Sequence, residues 1–298
     1  METNFLTELL LPVSLAIIMF GMGLSLSPVD FKRVAVYPKA ATLGILNQIV
    51  ILPLVGFVLL MLIPMRTPEL AVGIMILAAC PGGPTSNLIS HISKGDTALS
   101  ITLTAISSLI VVITIPLIVN FSLRYFMQHN EYVPLPVFDT IIKVIIITLI
   151  PVVIGMVTKA KLPRFSIRME RPVKIMSGIL LFVIIIAAIL NDRENFLGFF
   201  AQAGPVALAL NLAMLAVGFF TAKLARLKVS QRITISVESG IQNGTLGIAI
   251  AATLLKNPTM TISPAVYSLI MFMTAGIIIA WANLKMKELK PTGSNFQA

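Results

Sequence analysis

Hydrophobic residues fall along this chain in long runs, joined by short polar or basic connections, and two of the runs are broken in the middle. Nine runs, near 5–26, 39–63, 69–93, 97–126, 137–159, 174–191, 203–226, 231–255 and 264–286, predict nine helices. A stretch of about 20 apolar residues crosses roughly 30 Å of hydrocarbon. Alternation of period two over strand-length segments is absent, so a membrane β-barrel does not fit. The interruptions are Gly82-Gly83-Pro84-Thr85-Ser86-Asn87 in the third run and Glu238-Ser239-Gly240-Ile241-Gln242-Asn243-Gly244 in the eighth. Each combines helix-breaking residues with side chains that carry oxygen. Backbone freed by such a break survives at lipid depth only where protein or a watered cavity surrounds it.

The two parts of the chain rhyme. Leu46-Asn47-Gln48 lies in the second run and Leu210-Asn211-Leu212 in the seventh, and a broken run follows each. The third and eighth runs start on opposite sides of the membrane, the pattern of an inverted repeat. Four runs, through 126, make up the N-terminal part and five the C-terminal part, so one repeat is expected to lack its first helix. All connections are short, which leaves no soluble domain, and the tail 291–298 is expected to be disordered. The first run lacks a basic start and a small-residue cleavage site and is read as a retained span.

Composition and charge sharpen this reading. Of 298 residues, 57% are apolar and 11% charged, which places the chain among polytopic helical membrane proteins. The net charge of +10 does not point to nucleic acid, because the cations are sorted by side. One set of connections holds Lys32, Arg33, Lys39, Lys94, Lys159, Lys161, Arg164, Arg168, Lys223, Arg226, Lys228, Arg232 and Lys285; the other holds Arg66, Arg124, Arg193 and Lys256. The basic side is expected in the cytoplasm, with the N-terminus outside, the C-terminus inside, and the cell (inner) membrane as location. Cys80 is the single cysteine, so neither an internal disulfide nor a cysteine-based metal site is available. Two histidines, His91 and His129, are too few for haem or a zinc cluster.

Glu238 is the most informative residue. A carboxylate at this depth costs roughly 2.5–3.5 kcal/mol on insertion scales and marks a functional site. No lysine or arginine lies at matching depth in the other broken run, so a small hard cation is the economical partner. The alternative is a protonated or water-facing glutamate. Ser86 and Asn87 bring oxygen from the other break, and Ser100 and Thr104 share one face of the next helix. Gln48 and Gln242 can form a second site with Glu238 shared between the two. Neutral oxygens with one carboxylate suit sodium; magnesium asks for more carboxylates and zinc for nitrogen or sulfur. Helix N-termini at the breaks offer amides to an anion. Asp139 and Lys143, four apart in the fifth run, read as an interfacial ion pair ahead of a transport relay. Cys80 reads as packing.

These residues resemble the bile acid:sodium symporter family. The likeness is carried by Cys80-Pro81-Gly82-Gly83-Pro84-Thr85-Ser86-Asn87, Lys94-Gly95-Asp96 with Leu99-Ser100, Glu238-Ser239-Gly240-Ile241-Gln242-Asn243, and Phe31-Lys32-Arg33. The resemblance implies an all-α polytopic membrane protein with nine transmembrane helices, a panel domain, and a core domain in which two discontinuous helices cross. Panel helices are expected near 5–26, 137–159 and 174–191, and core helices near 39–126 and 203–286. Two sodium ions are implied. One would be held by Ser86, Asn87, Ser100, Thr104 and Glu238. The other would be held by Gln48, Glu238 and Gln242 with the carbonyls of Ser239 and Ile241. The expected function is sodium-coupled symport of an organic anion, bile acid-like or smaller, by alternating access. Thr85, Asn243 and Thr245 are expected substrate contacts. The alternative is a proton-coupled or uncoupled carrier in which Glu238 titrates. Partners expected are the organic anion and lipid, with neither nucleic acid nor an obligatory protein partner. An enzyme is not expected: Gly-x-Ser-x-Gly, paired intramembrane aspartates and a metal-ligand histidine pair are all missing from the sequence.

Overall fold

The computed structural model describes residues 11–127, 134–191 and 195–288, and every regular element among them is a helix. Residues 5–10 of the first expected span, His129, Arg193 and the tail 291–298 lie outside the described residues. The first span is α1 (Leu11–Ser25), followed by the short α2 (Pro28–Lys32). The second span is α3 (Pro38–Leu46) and α4 (Leu52–Leu62), and the broken third is α5 (Pro68–Ala79) and α6 (Pro84–Ile92). Then come α7 (Thr97–Phe126), α8 (Val137–Val144) with α9 (Ile150–Lys161), and α10 (Pro163–Asn191). The last are α11 (Phe196–Leu224), the broken pair α12 (Val229–Gly240) and α13 (Gly244–Ala249), and α14 (Ile262–Glu288).

Proline sets much of this punctuation. It opens α2, α3, α5 and α6, where its missing amide is no loss and its fixed φ suits the first turn. Inside a helix it acts differently. Asn47–Ile51 and Ile145–Leu149 are π-helical turns, and a proline follows each at the same offset, Pro53 and Pro151. The proline ring displaces the carbonyl four residues back, and one wide turn absorbs the displacement. The wider turn at 47–51 contains Asn47 and Gln48, both buried.

Five stretches among the described residues are long and apolar enough to cross a membrane by themselves: Pro38–Leu62, Thr97–Phe126, Val137–Lys161, Leu197–Leu224 and Thr259–Lys285. Two bent pairs raise the number to seven, α1 with Pro28–Ala35 at 74° and α5 with α6 at 65°. The other two expected spans, at α10 and at α12–α13, are helical but are not among the seven. Serine, glutamine, arginine, threonine and glutamate make α12 polar for a membrane helix. The outward faces elsewhere are apolar, with Leu54, Val58, Ile113, Leu117, Ile154, Phe220 and Ile277 exposed, as lipid contact requires.

Three expectations are corrected. The connection 159–174 is not a long loop: α9 runs to Lys161 and α10 starts at Pro163, because a proline at the first helical position starts a helix. The exposed Arg164, Arg168 and Arg171 then form one face of α10. The break in the third span lies at 80–83, one turn earlier than expected, so Ser86 and Asn87 belong to the first turn of α6. Asp139 and Lys143 are both exposed on α8, and no ion pair joins them; the salt bridge found among the described residues is Arg33–Asp30.

Beside two smaller clusters, two large ones carry most of the packing. In one, Leu15, Met19 and Met22 of α1 meet Ile76, Ile115, Val152 and Leu246. In the other, Leu52, Ile74, Leu210, Val237 and Tyr267 join α4, α5, α11, α12 and α14. Helix α1 lies closely against α9 at Gly23 and Gly155. A Cβ on Gly155 would stand 2.4 Å from the Phe20 carbonyl oxygen and 2.8 Å from the Gly23 Cα. These neighbours are backbone and cannot swing away, so small residues let the helices touch, as membrane helix pairs require. Gly155→Ala is therefore expected to lower the unfolding temperature in detergent, at a cost of about 1–3 kcal/mol from overpacking. Gly178→Ala on α10 is the control, since its Cβ would meet nothing within 4 Å and should leave stability unchanged.

Candidate functional site

The two broken helices touch at their breaks. The Asn243 amide donates to the Pro81 carbonyl at 2.9 Å, so the extended segment of one break hydrogen-bonds to that of the other. Asn243 also caps α13, its side-chain oxygen accepting from the Leu246 amide at 3.0 Å. Helix α12 ends in carbonyls with no helical partner, and side chains satisfy them one after another. Gln48 Nε2 donates to the Glu238 carbonyl at 2.9 Å and Gln242 Nε2 to the Ser239 carbonyl at 2.6 Å. Asn211 Nδ2 and the Tyr267 hydroxyl both donate to the Gly240 carbonyl, at 2.8 and 2.7 Å. Sequence reasoning did not foresee Asn211 or Tyr267 in this role. A tyrosine in an apolar run is a usable signal, because a buried phenol seeks a partner.

Around the Glu238 carboxylate the expected first set of oxygens comes together. Ser100 Oγ reaches both Asn87 Oδ1, at 2.8 Å, and Glu238 Oε1. Thr104 Oγ1 lies 3.1 Å from Glu238 Oε2, 3.2 Å from Asn87 Oδ1 and 3.1 Å from the Ser100 carbonyl. Gln48 Nε2 is 3.2 Å from Glu238 Oε2. Each hydroxyl has one proton to donate, yet Ser100 faces two acceptors and Thr104 three. The cluster is rich in acceptor oxygen and poor in hydrogen. Ser86 joins it by another route: a Cβ on Gly82 would stand 2.7 Å from Glu238 Oε2 and 2.9 Å from Ser86 Oγ. Glu238, Ser86, Ser100 and Thr104 are fully buried.

Of the second expected set, Gln48 meets Glu238 and Gln242 meets the Ser239 carbonyl, while among the described residues no hydrogen bond joins these two pairs through the Ile241 carbonyl. Gln48 and Gln242 use their amide nitrogens on backbone carbonyls, and their side-chain oxygens, Gln48 Oε1 and Gln242 Oε1, are buried without a hydrogen-bond partner. Ser239 Oγ is in the same state. An unpaired buried acceptor is costly, and a cation relieves that cost directly. The Ser239 carbonyl already accepts from Gln242, which leaves it one lone pair. The donor set contains one carboxylate; among the described residues no three of His, Cys, Asp and Glu cluster. Such a set fits a hard monovalent cation.

Beside the breaks lies a crevice of about 500 Å³ between α1 and α10 on one side and the helix starts of α6 and α13 on the other. Thr85, Asn243 and Thr245, the expected substrate contacts, all line it, as do Asn87 and Gln242 from the oxygen sites. His91 also lines it, with Nδ1 3.3 Å from Thr97 Oγ1. His91 was not foreseen there, since one histidine near a helix end has no pattern around it. Cys80 is buried with its Sγ 3.2 Å from the Ile76 carbonyl, in keeping with packing.

Comparison with known proteins decides what kind of molecule this is. A family model described as the sodium bile acid symporter family matches residues 12–199. The chain belongs to that family. Over 282 residues it is 30% identical to the "uncharacterized sodium-dependent transporter YocS" of Bacillus subtilis (strain 168), covering 95% of this chain and 85% of that one. It is 31% identical over 291 residues to a "probable sodium/metabolite cotransporter BASS2, chloroplastic" of rice, Oryza sativa subsp. japonica, covering 95% and 65%. The human P3 protein is 32% identical over 219 residues, covering 71% and 44%. The chain is therefore an integral membrane transporter and not an enzyme.

The doubly held Gly240 carbonyl gives a test of how the break is supported. Asn211→Leu or Tyr267→Phe alone leaves one donor in place and should cost about 1 kcal/mol. Together they strand a buried carbonyl, so the double variant should lose more than the sum of the singles in thermal unfolding. Additive losses would show that the two donors act independently.

Proposed function

We propose that this transporter is a sodium-coupled symporter of an organic anion, working by alternating access, with two sodium ions bound where the broken helices meet. The observation that carries the reading is the surplus of buried acceptor oxygen: too few hydroxyl protons around Glu238, and two glutamine oxygens with none. A cation satisfies both deficits at once. The first ion takes Ser86, Asn87, Ser100, Thr104 and Glu238. The second takes Gln48, Glu238 and Gln242 with the Ser239 and Ile241 carbonyls. The sodium-dependent relatives named above support sodium as the ion.

The anion belongs in the crevice. Among its described lining residues there is no lysine or arginine, so Thr85, Asn243 and Thr245, at the starts of α6 and α13, meet its charge. Asn87 and Gln242 border both the ion sites and the crevice, so a bound ion raises the positive potential felt by the substrate. Nine crossings, with α1, α8–α9 and α10 as the panel and the remainder as the core, supply two bodies that can move about the crevice. The basic connections face the cytoplasm, which puts the N-terminus outside.

Sodium at about 100 times its Kd should add roughly 2.7 kcal/mol to stability relative to potassium or choline. Glu238→Gln keeps size and hydrogen bonding but removes the shared charge, and should abolish both that gain and sodium-driven uptake of the anion into proteoliposomes. Gly82→Ala should do the same, because its methyl group would enter between Glu238, Ser86 and Gln48. Melting indifferent to sodium, with uptake that follows an inward proton gradient, would favour Glu238 as a titrating proton carrier and sink the sodium reading. Orientation is checked separately with cysteines placed in a Cys80→Ala background. An impermeant thiol reagent outside right-side-out vesicles should label position 66 and spare position 228.

A further inference from the structure

Ser90 and Ser93 are fully buried, and neither hydroxyl has a hydrogen-bond partner. Both belong to the end of α6 that leads away from the breaks, with Ser93 capping its last turn. Ser86, Ser90 and Ser93 are spaced four and three residues apart and so share one face of the helix. Ser86 stands at the Glu238 carboxylate. The opposing helix is α12, where Thr234 lies one turn from Glu238 on the same face.

The far end of this contact is equally well fixed. The Asp96 amide donates to the Ser230 carbonyl at 3.2 Å, and Thr234 Oγ1 donates to the Asp96 carbonyl at 3.1 Å. Gly95 fits between the helices because it has no side chain; a Cβ there would stand 2.6 Å from Thr234 Oγ1 and 3.0 Å from the Ser90 carbonyl. The seam between α6 and α12 is thus anchored at its Asp96 end, and the two unpaired hydroxyls belong to the stretch of α6 between that anchor and Ser86. Asp96, half-buried and just past Ser93, puts a carboxylate where the seam reaches the basic end of the molecule.

We infer that the seam between α6 and α12 is a transit path for the cation: it leaves the Glu238 site past Ser86, Ser90 and Ser93 and emerges at Asp96. The inference rests on the sodium reading of that site. The path is about 10 Å long, seven residues at roughly 1.5 Å of helical rise each. A buried hydroxyl without a protein partner needs water or an ion, and two in line from an ion site to a helix end provide successive places for either. The hydroxyls replace part of the ion's water shell in passing, and the carboxylate at the exit offsets the repulsion of Lys94 and Arg232.

The test uses the whole chain in detergent and follows bound radioactive sodium by scintillation proximity. Ser90→Ala/Ser93→Ala removes hydroxyls that hold nothing in the protein, so folding should be unaffected. The half-saturating sodium concentration should match wild type, while release after a chase with unlabelled sodium should slow about tenfold, the worth of one lost hydroxyl–cation contact of about 1.4 kcal/mol. Ser90→Val, which fills the path, should slow release at least as much. Wild-type release in both variants would mean the ion leaves through the crevice and would overturn the path. A shifted half-saturation would make these serines equilibrium ligands and would also overturn it. Failure of the wild-type chain to bind sodium at all would instead bring down the sodium reading itself.

Discussion

The structure depends on one contact, the hydrogen bond from the Asn243 amide to the Pro81 carbonyl. Two helices broken at lipid depth each expose amides and carbonyls that hydrocarbon cannot satisfy. Crossing the breaks lets one extended segment satisfy part of the other. The carbonyls that remain, at the end of α12, draw in Gln48, Asn211, Gln242 and Tyr267 from four different places in the chain. Those side chains are fixed by their nitrogens or hydroxyls. The side-chain oxygens of Gln48 and Gln242 are consequently fixed as well, buried and without a partner. The repair of a backbone defect thereby leaves acceptor oxygen over: Gln48 and Gln242 donate to carbonyls because the helix stops, and their oxygens stay unpaired because the nitrogens are used, which is the surplus that the proposed cation would satisfy.

The sequence shows the breaks because they violate two rules in the same few residues. Glycine and proline do not belong inside an apolar helix, and serine, asparagine and glutamate do not belong in hydrocarbon. Glu238, Ser86, Asn87, Ser100 and Thr104 were legible for that reason, and the structure gathers them. The role of Asn211 and Tyr267 was not, because each is one polar side chain in an apolar helix and the carbonyl it holds, Gly240, is distant in sequence. The continuous helix through 163–191 was hidden by its composition. Arginines and two prolines suggest a loop, yet Pro163 starts a helix and the arginines occupy one exposed face of it. The bend after Ser25 was hidden for the opposite reason, since Ser27 and Pro28 are ordinary helix-start residues and nothing local states an angle of 74°.

That bend connects two differently held segments. The end of α1 is tied to its neighbours by Lys159 Nζ on the Ser25 carbonyl at 2.6 Å and Ser166 Oγ on the Leu24 carbonyl at 3.2 Å. The α2 turn is tied to α7, with Thr102 Oγ1 on the Asp30 carbonyl at 3.0 Å. Asp30 is buried and paired with Arg33 and Ser27, which keeps the turn itself rigid. Two rigid segments joined through Leu26 localise any change of angle to one or two residues, which is how hinged bodies move without unpacking.

The same economy links ions to substrate. Asn87 contributes its oxygen to the Ser100–Thr104 cluster and also borders the crevice, and Gln242 does so on the other break. Either residue cannot shift at one site without shifting at the other. In the proposed symporter an ion between Glu238 and Asn87 would fix the first turn of α6, whose Thr85 lines the crevice. An anion held there gains from that order and from the ion's charge, and by reciprocity its binding must tighten the ion by the same factor. Coupling in this geometry needs no long chain of contacts. In the proposed symporter one helix start would be shared by two ligands of opposite charge, and its order is the quantity that both of them would favour.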